Sequence, residues 1–258
     1  MRLLFRTVPL FFAALLLVAC GSSDVTENPG ASERFRLGMK EYEDEDYLEA
    51  LNHFEVIRLQ FPGSSVSDSA RYFTGMCRFH REEYLLASYE FNRLIQGSRR
   101  SALAPDAYYM FSQCYYQMSP KVQLDQTNTQ RAIDALQSFV EQYPNHPKAP
   151  TVEKQVLELV NKLADKEYET AVLYEKMENR QAALIYFSTI VDRYYNTYVA
   201  DDALAGKIRM LISLKRYDEA ASAVDDFLER YPESDWRDDV TDMQEDLAEL
   251  RQEQTATQ

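Results

Sequence analysis

The chain has 258 residues, 45% of them hydrophobic and 27% charged, with only seven glycines and nine prolines, a balance that sustains a sizeable helix-rich core and confines disorder to the ends. Its formal net charge of −14 repels phosphate backbones, which argues against nucleic acid as a partner and suits instead basic patches on other proteins or plain solvation. The three histidines, His53, His80 and His146, stand far apart, and neither a glycine-rich phosphate loop nor a G-x-S-x-G elbow occurs, so neither a metal site nor catalysis is expected.

Taken from the start, Arg2 and Arg6 form a basic opening, Val8 to Val18 is an almost unbroken apolar run, and LVAC follows at Leu17 to Cys20. The run is shorter than the ~20 residues of a membrane-spanning helix and fits the apolar part of a secretory leader. LVAC resembles a lipobox, in which the cysteine thiol takes a diacylglycerol before cleavage. Residues 1–19 are therefore expected to be a lipoprotein signal peptide and Cys20 the lipidated first residue of the mature chain, anchored by acyl chains at ~0.8 kcal/mol per buried methylene. No cofactor other than this covalent lipid is expected. Gly21 and Ser22 follow, with no aspartate at the second mature position, which by resemblance to bacterial lipoproteins directs the chain to the outer membrane with its domain facing the periplasm. GSSDVTENPGAS is polar and rich in breakers, so residues 20–31 read as a flexible tether.

Beyond the tether, a spacing recurs. Gly38 is followed by Ala50, Phe54 and Pro62, and Gly75 by Ala87 and Phe91 without a closing proline. Ala171, Ala183 and Phe187 repeat the intervals with Tyr195 in the proline position, and Tyr217, Ala220 and Pro232 follow with Ile208 where the small residue belongs. A third, irregular unit has Ser112 and Ala132 separated by twenty residues instead of twelve. There Pro120 is expected to end the first helix and Thr129 to cap the second. Trp236, Val240, Met243, Leu247 and Leu250 lie at helical spacing and predict a closing helix over residues 235–251, before a frayed tail at 252–258. Cys77 and Cys114 fall inside helical windows and are expected as two separate buried thiols.

These units resemble the tetratricopeptide repeat, a helix–turn–helix of ~34 residues in which small residues let the paired helices approach and proline ends the second helix. The fold expected is an all-α, right-handed superhelical array of five such repeats with a C-terminal capping helix. The lipobox, the tether, the five units, the run LDQTNTQRAIDALQSFVEQYPNHP from Leu124 and the run LADKEYETAVLYEKMENRQAALIYFSTIVDRYYNT from Leu163 together resemble the BamD family, lipoproteins of the machinery that folds β-barrels into the bacterial outer membrane. One departure is QGSRRSALAP at the end of the second unit, which lacks the aromatic–proline close. The resemblance implies a non-enzymatic, lipid-anchored scaffold. Its N-terminal repeats, 32–149, would receive the C-terminal signals of unfolded outer-membrane protein precursors. Its C-terminal repeats, 150–234, would dock the periplasmic domains of the BamA-like barrel subunit, with other assembly lipoproteins as further partners. The alternative is a periplasmic repeat protein that coordinates cell-wall synthesis with envelope constriction.

With each small residue numbered eighth, positions five, nine and twelve share one face of the first helix, the face that lines the concave surface of tetratricopeptide proteins. They are Phe35, Met39 and Tyr42, then Tyr72, Met76 and Phe79, then Tyr109, Gln113 and Tyr116. The same positions in the last two repeats are Tyr168, Val172 and Glu175, and Ala205, Arg209 and Ile212. The aromatic stripe of the first three repeats reads as a peptide-binding groove, because Tyr, Phe and Met offer large contact area at low entropic cost; inter-repeat core is the competing reading. In DAYYMFSQCYYQMSP, from Asp106 to Pro120, Tyr108, Phe111 and Tyr115 fall on other faces and are expected to pack against neighbouring helices.

Overall fold

The computed structural model describes residues 29–98 and 100–256; the leader, Cys20 and most of the tether lie outside them. Ten helices pair in antiparallel fashion as five repeats: α1 (Ala31–Glu43) with α2 (Tyr47–Gln60), α3 (Ser67–His80) with α4 (Tyr84–Gly97), α5 (Ala104–Gln117) with α6 (Thr127–Gln142), α7 (Ala149–Lys176) with α8 (Arg180–Arg193), and α9 (Ala200–Ser213) with α10 (Tyr217–Arg230). Helix α11 (Arg237–Ala256) closes the stack, and each helix packs chiefly on its neighbours in sequence. There is no strand among the described residues, and the architecture is a tetratricopeptide array.

The core of each repeat is one phenylalanine of the second helix. Phe54, Phe91, Phe139, Phe187 and Phe227 are all fully buried, each with an aliphatic partner three residues away: Ile57, Leu94, Leu136, Ile190 and Val224. Where the ring sits four residues after the repeat's alanine, the facing helix must come very close. A Cβ on Gly38 would lie 2.7 Å from Phe54, and one on Gly75 2.7 Å from Phe91. In the third and fifth repeats the ring has moved three residues on, and Ser112 and Ile208 occupy the small-residue position, both fully buried. Gly206, one half-turn before Ile208, instead lets α9 approach the preceding repeat, where its Cβ would meet Phe187 at 2.7 Å.

Both kinds of connection are built the same way along the chain. Within four of the repeats the turn is three residues long, and its middle residue is left-handed: Glu45 (φ 61°), Glu82 (60°), Glu178 (58°) and Lys215 (59°). In the first, the Asp46 amide donates to the Glu41 carbonyl (2.8 Å) and the Glu45 amide to Tyr42 (3.2 Å), the paired bonds of a Schellman motif that satisfies the helix's last carbonyls. Between repeats, Phe61, Ser98, Tyr143, Tyr194 and Tyr231 each donate an amide hydrogen bond back to the residue four before, and each accepts one from the residue three after. The Ser98 junction makes the same bonds as the rest, so the missing aromatic–proline close of the second repeat leaves the geometry intact. Phe61 and Tyr143 pack these junctions, Tyr143 lying 5.8 Å from Tyr108 and 5.9 Å from Phe139.

Three features depart from the sequence expectation. Pro120 follows the end of α5, but α6 begins at Thr127, with the Asp125 carboxylate accepting from the Thr127 amide (3.0 Å). Thr129 is no cap: it is buried inside α6, its hydroxyl bonded to Gln126 Oε1 (2.6 Å) and 2.8 Å from Ser119 Oγ. Secondly, α7 is one continuous helix of 28 residues, twice the length of α3 or α9. Its first half buries Val152 and Leu159 in the core of the third repeat, and its second half buries Ala164 and Ala171 in the core of the fourth and fifth. The boundary placed between 149 and 150 is therefore the start of a helix shared by both halves. Finally, α11 reaches Ala256, five residues past the expected end at 251, because RQEQTA contains good helix formers and no breaker. Cys77 and Cys114 are separate, buried and free, and burial pushes both thiols up to about 12.

Candidate functional site

The register carries Phe35, Met39 and Tyr42 on α1, Tyr72, Met76 and Phe79 on α3, and Tyr109, Gln113 and Tyr116 on α5. Eight of these are half-buried and Gln113 is buried, at 6% exposure. In the first repeat the rings touch both the phenylalanine of their own repeat and the first helix of the next. Phe35 lies 5.6 Å from Phe54 and 6.0 Å from Phe73, while Tyr42 meets Phe73 edge-on at 5.2 Å. Tyr72 meets Phe91 at 5.6 Å and Phe73 at 5.5 Å; Tyr109 lies 5.7 Å from Phe139 and stacks on His146 at 6.2 Å. Met39 and Met76 join the same clusters, and Phe79 packs on Tyr84 at 5.3 Å. Inter-repeat packing thus accounts for part of the residue choice.

Packing does not dictate aromatic rings there, however. In the fourth repeat Tyr168 meets Phe187 at 6.0 Å, but Glu175 reaches the next repeat through Arg209, at 3.3 and 3.4 Å. Arg209 in turn lies 5.1 Å over the Trp236 ring, a cation–π contact. Val172 and Ile212 pack at the edge of the core and Ala205 is buried. In the last repeats two of the six positions are therefore held by an ion pair and a cation–π contact, and only Tyr168 is aromatic, so the fuller aromatic choice in the first three answers to something besides cohesion.

The phenols succeed one another on α1, α3 and α5. Burial, with smaller contributions from Asp106, Tyr42 and Tyr109, pushes the Tyr72 hydroxyl up to about 12, so Tyr42 and Tyr109 each lie within electrostatic reach of Tyr72. Burial likewise raises Tyr42 to about 12 and Tyr109 above its ordinary value. All three remain neutral donors and acceptors at any physiological pH, on a protein whose surface is otherwise strongly acidic. The succession ends at α7. Gln113 and Gln155 exchange two amide hydrogen bonds (2.8 and 3.0 Å), and the Tyr116 hydroxyl donates to Glu158 Oε2 (2.7 Å). Burial and that carboxylate raise Tyr116 to about 12. The polar groups of Gln113 and Tyr116 are thus engaged by the first half of α7, which lies outside the repeat register and so could not be placed from spacing.

Two residues join the face that the register passes over. The His80 ring stacks on Tyr47 at 4.7 Å, and its Nε2 lies 3.0 Å from the Tyr42 hydroxyl. With Phe73 they make an aromatic box around Tyr42. His80 directly follows Phe79, one residue past the last position compared, and Tyr47 starts a second helix. In α5, Tyr108 contacts Tyr143 and Phe139, Phe111 packs against the core that holds Phe91, and Tyr115 against the core that holds Phe139, as expected of side chains that pack on neighbouring helices. Among the described residues no group of three or more His, Cys, Asp or Glu side chains is placed to hold a metal ion, and no helix is long and apolar enough to cross a membrane.

Comparison with known proteins adds the remaining observation. Residues 28–223 match YfiO, a family described as outer membrane lipoprotein. An outer membrane protein assembly factor BamD from Caulobacter vibrioides is 26% identical over 175 residues, 68% of this chain and 57% of that protein, so the chain spans little more than half of that relative's length. The BamD of Rickettsia prowazekii is 28% identical over 191 residues, 74% of this chain and 76% of that protein. A TPR repeats protein from Bacteroides fragilis superimposes with a TM-score of 0.45 at 16% identity, over 86% of this chain and 99% of that one. The family match runs from the end of the tether into α10, well over half of the chain, and this chain belongs to the YfiO family of outer membrane lipoproteins, among relatives of BamD.

Proposed function

We propose that the protein is a lipid-anchored periplasmic scaffold that helps assemble and insert β-barrel proteins into the outer membrane. The N-terminal repeats bind the C-terminal signals of unfolded precursors, and the C-terminal repeats bind the periplasmic domains of the barrel subunit. The observation that carries the peptide reading is the succession of neutral phenols Tyr42, Tyr72 and Tyr109, flanked by Phe35, Met39, Met76 and Phe79, on a face where the last two repeats keep one aromatic, Tyr168, and place the Glu175–Arg209 ion pair. An extended segment ending in an aromatic residue gains edge-to-face contacts and hydroxyl hydrogen bonds there at little entropic cost. On the other half, Tyr195 and Tyr198 stand 60% and 65% exposed between α8 and α9, large anchors of the kind that dominate protein interfaces.

A labelled peptide from the C-terminus of an outer-membrane barrel, ending in phenylalanine, tests the groove by fluorescence anisotropy. Tyr72→Ala and Tyr109→Ala are each expected to weaken binding by ~1–2 kcal/mol while helix content by far-ultraviolet circular dichroism is retained. Unchanged affinity in both would rule the groove out. For the anchor, uptake of labelled palmitate by the wild type and not by Cys20→Ala is the expected result.

A further inference from the structure

The two departures from the repeat pattern, the enlarged connection of the third repeat and the doubled helix α7, meet at one place. Residues 118–126 fold onto α7 and are held by side chains. Lys162 Nζ donates to Ser119 Oγ (3.0 Å) and Lys166 Nζ to the Leu124 carbonyl. Gln126 Nε2 lies within hydrogen-bond reach of the carbonyls of Lys121 (2.8 Å), Val122 (3.2 Å) and Leu124 (3.0 Å). A passive insertion needs no such organisation, since an exposed loop can leave its carbonyls to water.

Between this loop and the second half of α7 lies an open cavity of about 520 Å³. Val122, Val172 and Leu173 give it an apolar wall, and Lys166, Glu169 and Lys176 are its charged groups. Around it the apolar surface continues: Leu173 is 55% exposed, Met177, four residues on, 63%, and Leu124 in the loop 57%. Lysines are concentrated here. Of the nine lysines in a chain of net charge −14, Lys121, Lys162, Lys166 and Lys176 stand on this loop and on this helix from residue 162 onward, interspersed with Asp125, Asp165, Glu167, Glu169 and Glu175, and among the described residues none of the four is in an ion pair. Asp125 and Glu167 feel the Lys166 charge only at a distance. Lys166 and Lys176 outnumber Glu169 among the charges that line the cavity, and beside aliphatic walls they are complementary to a carboxylate flanked by aliphatic side chains.

We propose that the cavity between the 118–126 loop and the second half of α7 is a docking site for a partner polypeptide segment that presents a carboxylate beside aliphatic side chains. The carboxylate pairs with Lys176 and Lys166, and the aliphatic groups lie on Val172, Leu173 and Met177. Desolvating the lysines against those walls strengthens the pair relative to an exposed one, and methionine adapts to the incoming shape. A flat anionic membrane surface fits less well, because the charged groups line a concavity that also contains Glu169.

The test uses the full lipid-anchored chain in detergent micelles, labelled with ¹³C in the methionine methyl groups, and reads the Met177 resonance. The probes are a blocked hexapeptide of alternating leucine and aspartate and its leucine–lysine counterpart. The acidic peptide is expected to shift Met177 saturably, the basic one not, and Lys176→Glu and Leu173→Ser are each expected to weaken the acidic peptide at least tenfold. Both variants are at exposed positions, and undisturbed resonances of the other methionines report that the fold is kept. No shift with the acidic peptide, equal response to both peptides, or unchanged affinity in Lys176→Glu overturns the proposal. A shift of Met177 on adding phosphatidylglycerol bicelles without peptide overturns it in favour of a membrane contact.

Discussion

A phenylalanine and a glycine set the spacing of the first two repeats. Phe54 and Phe91 are fully buried, so neither ring can swing aside for a methyl group placed 2.7 Å away. Gly75→Ala is therefore expected to destabilise by ~1–3 kcal/mol, the ordinary cost of overpacking a filled core. The third and fifth repeats show the relief: with Leu136 and Val224 in place of the ring, the facing positions are Ser112 and Ile208. Gly75→Ala combined with Phe91→Leu should accordingly lose less stability than the two single changes added together, a coupling that a urea-denaturation double-mutant cycle measures directly. Strict additivity would mean that α3 shifts as a body and that the ring is not what limits it.

At the scale of elements, the repeat helices were legible because their alanine and phenylalanine positions are fixed by the close approach just described. The first half of α7 was not. Its residues carry an ordinary apolar periodicity, with Val152, Val156, Leu159, Val160 and Leu163 packed in the third repeat's core, and such a pattern marks a helix without saying that it continues into the next one. Pro150 sits in its first turn, where a helix tolerates proline, so it cannot be told by itself from a closing proline of the third repeat. The same omission hid the partners of Gln113 and Tyr116, and with them the end of the aromatic stripe. The stripe itself was legible, since positions five, nine and twelve follow from helical geometry alone, while the box of Tyr47 and His80 around Tyr42 depends on which repeats touch. The shared helix has a mechanical consequence. Ala164→Pro at its midpoint removes a backbone hydrogen bond and crowds the preceding turn, costing ~3 kcal/mol or more, and Ala164 is fully buried. Unfolding followed by circular dichroism should then separate into two transitions, one for α1–α6 and one for α8–α11, whereas the wild type is expected to melt as one coupled unit across the helix. A single transition at lower denaturant would show that the halves are held together by contacts other than α7.

Across the whole molecule, stability is nearly one-dimensional: each repeat packs on its sequence neighbours, so a free end is a cost that only a cap removes. Helix α11 serves as that cap by burying Val240 and Leu247 against α9 and α10, with Trp236 and Met243 packed alongside. The Trp236 indole donates to Asp202 Oδ1 (2.6 Å), and Arg251 pairs with Asp218 at 2.7 Å, which fixes the helix at both ends. Its outer face carries Asp238, Asp239, Asp242, Glu245 and Glu249, a solvated surface that cannot template a further repeat. Ending the chain after Glu233 strips this cover and removes the indole from beside Arg209. Burial of Val240 and Leu247 alone is worth ~1.5–3 kcal/mol each, so the loss falls on a repeat that has no neighbour to share it. In hydrogen exchange read by mass spectrometry, protection in the truncated protein should collapse over α9 and α10, diminish along α7 and α8, and remain unchanged in α1–α4. Because the proposed groove lies on α1, α3 and α5, barrel-peptide binding should survive the truncation, whereas capture of the barrel subunit's periplasmic domains should not. Equal loss of protection in all repeats would make the array a single cooperative block, and the separation of its two binding halves would then fail with it.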